Sequence, residues 1–207
     1  FYVLDRKTGA FLLAKPFVKQ TWNNGFDAAG RPVVREDSHP TRSGRLVWPN
    51  IEGGTSWWPP SFDAERLSLY VPAVDAATIY FLDDAKDKRF ASFGGTTQSA
   101  PNTPITTAIK SIDVTTGQIR WASILAKGVN TNFEQVSGIL STASGLVFVG
   151  FEDEFIVLDA DTGAVMRKFH LGGKITAPPV SYEVDGRQFI AVVAGKSLFA
   201  FAIPKLK

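Results

Sequence analysis

The sequence predicts an all-β protein built from repeated small antiparallel sheets, and one turn pattern met three times carries that expectation. Asp5-Arg6-Lys7-Thr8-Gly9 follows the apolar run Phe1-Tyr2-Val3-Leu4, Asp113-Val114-Thr115-Thr116-Gly117 follows Ile109-Lys110-Ser111-Ile112, and Asp159-Ala160-Asp161-Thr162-Gly163 follows Phe155-Ile156-Val157-Leu158. In each, the aspartate can accept hydrogen bonds from the amides ahead of it, a threonine adds its hydroxyl, and the glycine takes a positive φ that other residues resist. Another strand-like run follows every turn, so each unit reads as a hairpin. Hairpins repeated in this way mark a propeller or a solenoid.

Taken in order, residues 1–17 give an opening half blade. Residues 18–54 read as a long loop, with the turn signals Asn23-Asn24-Gly25 and Asp27-Ala28-Ala29-Gly30-Arg31-Pro32. A blade follows over 55–126, with inner strands at 57–62 and 67–71, an outer pair at 108–113 and 118–125, and an inserted loop at 72–107. Loops of such length in a compact repeat are usually lids or binding loops. Residues 137–171 hold four strands and complete a blade, the size expected of a propeller. An incomplete closing blade over 175–204 has three strands and a turn at Asp185-Gly186. The half blade, the missing fourth strand and the start at Phe1 without a methionine lead us to expect a portion of a longer protein. No stretch shows helical periodicity.

Composition narrows the classes. Apolar residues at 44%, aromatics at 12% and charged residues at 20% of 207 residues describe an ordered globular chain. The formal charge of +2 comes from 22 basic and 20 acidic residues mixed along the sequence, too balanced for a nucleic-acid or anionic-membrane footprint. No run approaches the roughly 20 apolar residues of a membrane span. Cysteine is absent, which excludes disulfides and thiolate metal sites within these residues.

Most residues that could carry chemistry have a simpler reading. Asp5, Asp113 and Asp159 are explained by their turns. Trp57 and Trp58 are neighbours in an expected strand, so their rings should point to opposite faces. His39 and His170 lack ligand spacing, and Glu152-Asp153-Glu154 reads as a solvated turn. Gly53-Gly54 and Gly94-Gly95 lack the context of phosphate loops. No Ser-His-Asp or Cys-His arrangement stands out.

Several segments together resemble the pyrroloquinoline quinone (PQQ)-dependent alcohol dehydrogenases of the methanol and ethanol dehydrogenase type. They are residues 1–9, Gly53-Gly54-Thr55-Ser56-Trp57-Trp58-Pro59-Pro60-Ser61-Phe62, residues 137–143 with Gly145-Leu146-Val147-Phe148, and Val180-Ser181-Tyr182-Glu183-Val184-Asp185-Gly186-Arg187-Gln188. The resemblance implies the C-terminal part of an eight-bladed β-propeller in a periplasmic enzyme that oxidises alcohols to aldehydes. It implies PQQ with calcium or a lanthanide as cofactor in the complete enzyme, a small alcohol as substrate, and the remaining N-terminal part of the propeller or a second chain as partner. Members set an Asn-Trp pair beside the quinone where this sequence has Ser56-Trp57, so Trp57 and Ser56 are the expected cofactor contacts. Members also often place a tryptophan there from the position of Glu134-Gln135-Val136. The family's catalytic aspartate, metal-binding glutamate, adjacent-cysteine disulfide and quinone-contacting basic residue lie ahead of the segment matching Phe1. Neither catalytic nor metal residues are therefore expected in this chain. A noncatalytic propeller segment serving as a binding or assembly scaffold is the alternative reading.

Overall fold

The computed structural model describes residues 1–82, 95–129 and 136–202. Strands β1 (Tyr2–Leu4) and β2 (Phe11–Ala14) form the opening hairpin; β3 (Asn23–Phe26) and β4 (Pro32–Val34) form a second, followed by a 3-10 turn at Glu36–Ser38 and the short strand β5 (Arg45–Val47). Then come β6 (Ser61–Asp63), β7 (Ser68–Asp75), β8 (Thr78–Leu82), β9 (Gly95–Ser99), β10 (Pro104–Asp113) and β11 (Ile119–Val129). A four-stranded antiparallel sheet has the order β11-β10-β7-β6, and a separate three-stranded sheet has the order β5-β8-β9. Strands β12 (Val136–Thr142), β13 (Leu146–Phe151), β14 (Glu154–Asp159) and β15 (Val165–His170) make the next four-stranded sheet in simple up-and-down order. β16 (Val180–Val184), β17 (Arg187–Ala194) and β18 (Ser197–Phe201) make a three-stranded one. The fold is all-β, built of propeller blades.

The three repeated turns superpose in their chemistry. Asp5 Oδ1 accepts the amides of Lys7 (3.0 Å) and Thr8 (2.8 Å), and Asp159 Oδ1 those of Asp161 (3.1 Å) and Thr162 (2.8 Å). Asp113 Oδ1 accepts those of Thr115 and Thr116. A threonine hydroxyl reaches the same oxygen each time, from Thr8, Thr115 and Thr162. The closing glycines have φ of 71° at Gly9, 70° at Gly117 and 72° at Gly163, the region where a Cβ is penalised.

Blades stack face to face because their middle strands are apolar on both sides. Ile156 and Leu158 of β14 join Val147 and Val149 of β13 in a core shared with Tyr70 and Ile109 of the preceding blade. Phe155 and Val157, alternating with them, join Phe148 in a second core with Ile190 and Val192 of the closing sheet. Near the inner edge, Ser61 and Ser141 place their Oγ atoms 2.6 Å apart, joining β6 to β12. Gly138 sits where a Cβ would meet Pro59 and Pro178, at 2.5 and 2.8 Å.

Three expectations from sequence need correction. The two segments read as loops, 18–54 and 72–107, both contain strands: β3, β4 and β5 in the first, β8 and β9 in the second, which also holds the ends of β7 and β10. Pro72 hid the continuation of β7, since proline usually ends a strand. It is tolerated because β6 pairs with β7 only as far as Tyr70, so beyond that point one side of β7 asks for no ladder donor from Pro72. The tryptophans at 57 and 58 are not in a strand, which begins at Ser61. Finally, the run from Ile175 does not extend until Val180, Pro178 and Pro179 having no amide to offer a ladder; Ile175 instead is fully buried against Gly150.

Candidate functional site

The segment 53–60 enters β6 at the end of the blade opposite the Asp113 turn. It is held at both ends by its own carbonyls: Gly54 O accepts Val74 N at 2.8 Å, and Pro59 O accepts Ile139 N of the next blade at 3.0 Å. Between these fixed points the two tryptophans divide their labour. Trp58 is only 4% exposed and packs with Val74, Ala76 and Ile105, whereas Trp57 is 63% exposed. Their ring centroids lie 5.7 Å apart at 40°, so Trp57 leans on its buried neighbour rather than facing away from it. Ser56 is exposed and its hydroxyl makes no hydrogen bond with any described residue.

Two buried polar atoms in this segment have no partner among the described residues, Thr55 Oγ1 and Trp58 Nε1. An unpartnered buried donor costs free energy in a finished fold. The segment thus combines an open indole face, a free hydroxyl and two unsatisfied polar groups, which suits a planar ligand with polar edges.

The loop has a support that sequence reading missed. Lys110 of β10 is buried, donating to Asp75 Oδ2 at 2.9 Å and to the carbonyl of Phe17 at 2.7 Å, while Asp75 Oδ1 accepts Lys19 N at 2.6 Å. Lys19 in turn holds its ammonium 3.6 Å from the centre of the Trp48 ring, a cation–π contact. This fixes residues 17–19, and Val18 lies so close to Gly54 that a Cβ there would stand 2.3 Å from Val18 Cγ2. A cleft of ≈ 500 Å³ beside Lys110 and Asp75 is lined also by Trp48 and Phe17, but by neither Ser56 nor Trp57. A charged residue inside a strand whose other long side chains, Ile105, Ile109 and Ile112, are apolar was the available signal.

At the opposite end of the blades, one arginine couples successive sheets and another ties strands within one sheet. Arg66 bridges Asp63 (3.1 Å) and Asp161 of the next blade (2.9 Å), and Arg120 joins Asp113 (2.6 Å) to Ser68 Oγ (2.7 Å). Hydrogen bonds from Thr115 and then Arg120 hold the Asp113 carboxyl far below the ordinary carboxylate range. Those from Thr8 and Thr162 lower Asp5 and Asp159. Burial pushes Asp63 up, yet the amide and guanidinium of Arg66 leave it lowered on balance.

No group of three or more His, Asp or Glu side chains suited to a metal occurs among the described residues. His39 is apart from such partners, and His170 stands 3.5 Å from Asp153 and 3.6 Å from Glu154. The turn at Glu152-Asp153 is half-buried rather than fully solvated, with Glu154 bonded to Lys168 at 2.8 Å. Of Glu134-Gln135-Val136, the first two lie outside the described residues and Val136 opens β12 as a buried core residue. Gly94 also lies outside them, and Gly95 begins β9.

Stacked four-stranded antiparallel sheets with an aromatic segment entering an inner strand define a β-propeller segment. The pattern of the PQQ glucose/ethanol/alcohol dehydrogenase β-propeller domain matches residues 92–190. The quinoprotein alcohol dehydrogenase PedH of Pseudomonas putida is 30% identical over 94% of this chain and 34% of its own length. A solved quinohemoprotein alcohol dehydrogenase, ADHIIG of Pseudomonas putida, superposes with a TM-score of 0.81 at 30% identity, over 95% of this chain and 31% of that one. A europium-containing methanol dehydrogenase does so with a TM-score of 0.74 at 28% identity, over 92% and 34%. The chain belongs to the PQQ-dependent alcohol dehydrogenase family. It spans about a third of the length of the curated relatives it matches. No helix of the described residues is long and apolar enough to cross a membrane.

Proposed function

We propose that this chain forms the C-terminal part of a periplasmic PQQ-dependent alcohol dehydrogenase that converts alcohols to aldehydes, and that Trp57 and Ser56 contact the cofactor. The observation that carries the reading is the indole of Trp57, 63% exposed on a segment tied at both ends that also holds polar atoms without a partner among the described residues. A large aromatic ring left open on a fixed segment offers stacking area at little ordering cost. The hydroxyl of Ser56 can donate one hydrogen bond to a carbonyl or carboxylate edge. PQQ, with calcium or a lanthanide, supplies the group that accepts hydride from the alcohol. Trp57 would cover one face of that group and exclude water from it, while Trp58, packed beneath, keeps the ring from turning away. The aspartate base and the metal ligands belong to the remaining, N-terminal part of the propeller or to a second chain, which is the partner this reading requires.

The test is titration of the complete polypeptide with PQQ in the presence of calcium or a lanthanide salt, followed by quinone absorbance. Trp57→Ala is expected to weaken cofactor binding about tenfold and Ser56→Ala about threefold, from the loss of an aromatic contact and of one neutral hydrogen bond. Unchanged affinity in Trp57→Ala would remove these residues from the site. Absence of any binding by the complete polypeptide would favour a noncatalytic scaffold.

A further inference from the structure

The pattern Asn23-Asn24-Gly25, expected as a turn, lies instead inside β3. This strand pairs with β4 through Asn23 opposite Val34 and Phe26 opposite Pro32, and the register shifts between those pairs, so Asn24 and Gly25 together face Val33 in a bulge. Gly25 takes a φ of 102°, and a Cβ on it would meet nothing within 4 Å. Asn24 is exposed, and its carboxamide makes no hydrogen bond with any described residue. A free carboxamide followed by a residue without a side chain lets the next main-chain nitrogen approach the side-chain carbonyl carbon.

The other asparagines among the described residues each lack one of these conditions. Asn23 is half-buried and is followed by a residue that has a side chain. Asn50 is only 4% exposed, its Oδ1 accepts Glu52 N at 3.2 Å, and Ile51 follows it. Asn102, exposed at a φ of 59°, precedes the β-branched Thr103, whose Oγ1 donates to Ala100 O at 2.8 Å. The support around Asn24 is slight as well. β3 and β4 form a sheet of their own, and a lone two-stranded hairpin opens readily.

We infer that Asn24 is a site of spontaneous modification, converting to aspartate and isoaspartate in the folded protein. Gly25 N forms a bond to Asn24 Cγ, the bond from Cγ to Nδ2 breaks, and ammonia leaves with the proton of the Gly25 amide. Water then opens the cyclic imide. Opening at the side-chain carbonyl restores the ordinary main chain as aspartate, and opening at the main-chain carbonyl routes the chain through Cγ as isoaspartate, longer by a methylene. No electrons change hands, and water is the only co-reactant. Either product puts a carboxylate where the chain had a neutral amide, ionised at neutral pH.

Incubation of the complete polypeptide at neutral pH, folded and separately in urea, tests this when followed by peptide mass spectrometry with chromatographic separation of the two products. Asn24 is expected to convert in the folded protein at a rate within about tenfold of that in urea, the small barrier that opening a short hairpin adds. Asn50 and Asn102 are expected to stay intact while the protein is folded. Asn24→Gln, whose longer side chain closes the ring less readily, should leave the peptide carrying residues 23–25 unmodified over the same period. An Asn24 that survives in the folded polypeptide while converting in urea overturns the inference. So does conversion of Asn50 as fast as Asn24, which would show that the fold does not select the site. Continued amide loss from the same peptide in Asn24→Gln, with a native circular dichroism spectrum, would move the reaction to Asn23 and overturn it equally.

Discussion

Trp121 of one blade lies over Gly163 of the next so closely that a Cβ on the glycine would stand 2.4 Å from Trp121 Cε3. The turn glycine thus answers two demands, a φ of 72° and the absence of a side chain beneath the indole. Gly9 answers only the first, because its φ is 71° and nothing lies within 4 Å of its missing Cβ. The pair separates the backbone contribution from the steric one. Gly9→Ala should cost about 1 kcal/mol, whereas Gly163→Ala should cost about 2 kcal/mol or more, the excess being overpacking between blades. In a double-mutant cycle of Gly163→Ala with Trp121→Ala, the two losses should be less than additive, as read by urea unfolding. Equal costs at the two glycines would show that the indole yields freely.

Lys110 and Asp75 predict a longer-range effect. Removing the ammonium leaves the Asp75 carboxylate without its ion-pair partner and deprives the Phe17 carbonyl of its donor, inside a half-buried cleft. Lys110→Met should destabilise by about 2–3 kcal/mol, since a broken buried pair leaves its other member uncompensated. Asp75→Asn, which keeps an oxygen for the amide of Lys19, should cost less. Because residues 17–19 carry Val18 against Gly54, hydrogen exchange at the amides of 54–57 should quicken in Lys110→Met. Unchanged exchange there would confine the ion pair to its own strands.

Acid stability should trace the turn carboxylates. Asp5, Asp113 and Asp159 each have a carboxyl lowered by hydrogen bonds that exist only in the fold. The unfolded chain therefore takes up protons first as pH falls, and their stabilisation is complete above the ordinary value near 3.8 and drains away below it, through the depressed folded values. Urea midpoints measured between about pH 6 and pH 2 should fall most steeply below pH 4. Asp113→Asn should lower the midpoint at pH 6 and flatten that acid slope. A slope unchanged in this variant would assign the acid sensitivity to other groups.

The repeat was legible because the residues that make it are local. Aspartate, threonine and glycine act on amides within five positions, so three turns and the blades around them could be read from one short pattern. Strands β3, β4, β5, β8 and β9 were not legible, being only three to five residues long, and β5 is in addition held by a partner distant in sequence, Arg45–Val47 pairing with Thr78–Leu82. The site divided in the same way. Trp57 and Ser56 were reached through resemblance alone, and the strand expected from Trp57 begins only at Ser61, because Pro59 and Pro60 offer no amide to a ladder. Lys110 was passed over because a lysine in a strand suggests a solvated face, whereas the carbonyl of Phe17 and the carboxylate of Asp75 both come from other segments.

The two neighbouring tryptophans should separate stability from binding. Trp58 is buried among Val74, Ala76 and Ile105, and its truncation to alanine removes a large ring from a closed core. Trp58→Ala should therefore cost about 3–5 kcal/mol. Trp58→Phe, which keeps an aromatic ring and deletes the unpartnered Nε1, should recover much of that loss. Trp57→Ala gives up only a leaning contact at 5.7 Å from an exposed position, so its unfolding midpoint should stay within about 0.5–1 kcal/mol of the parent protein. A variant that folds normally yet loses cofactor affinity is the signature of a binding residue. If Trp57→Ala instead unfolds as readily as Trp58→Ala, the exposed indole is a structural element and the cofactor contact must be sought elsewhere on the blade.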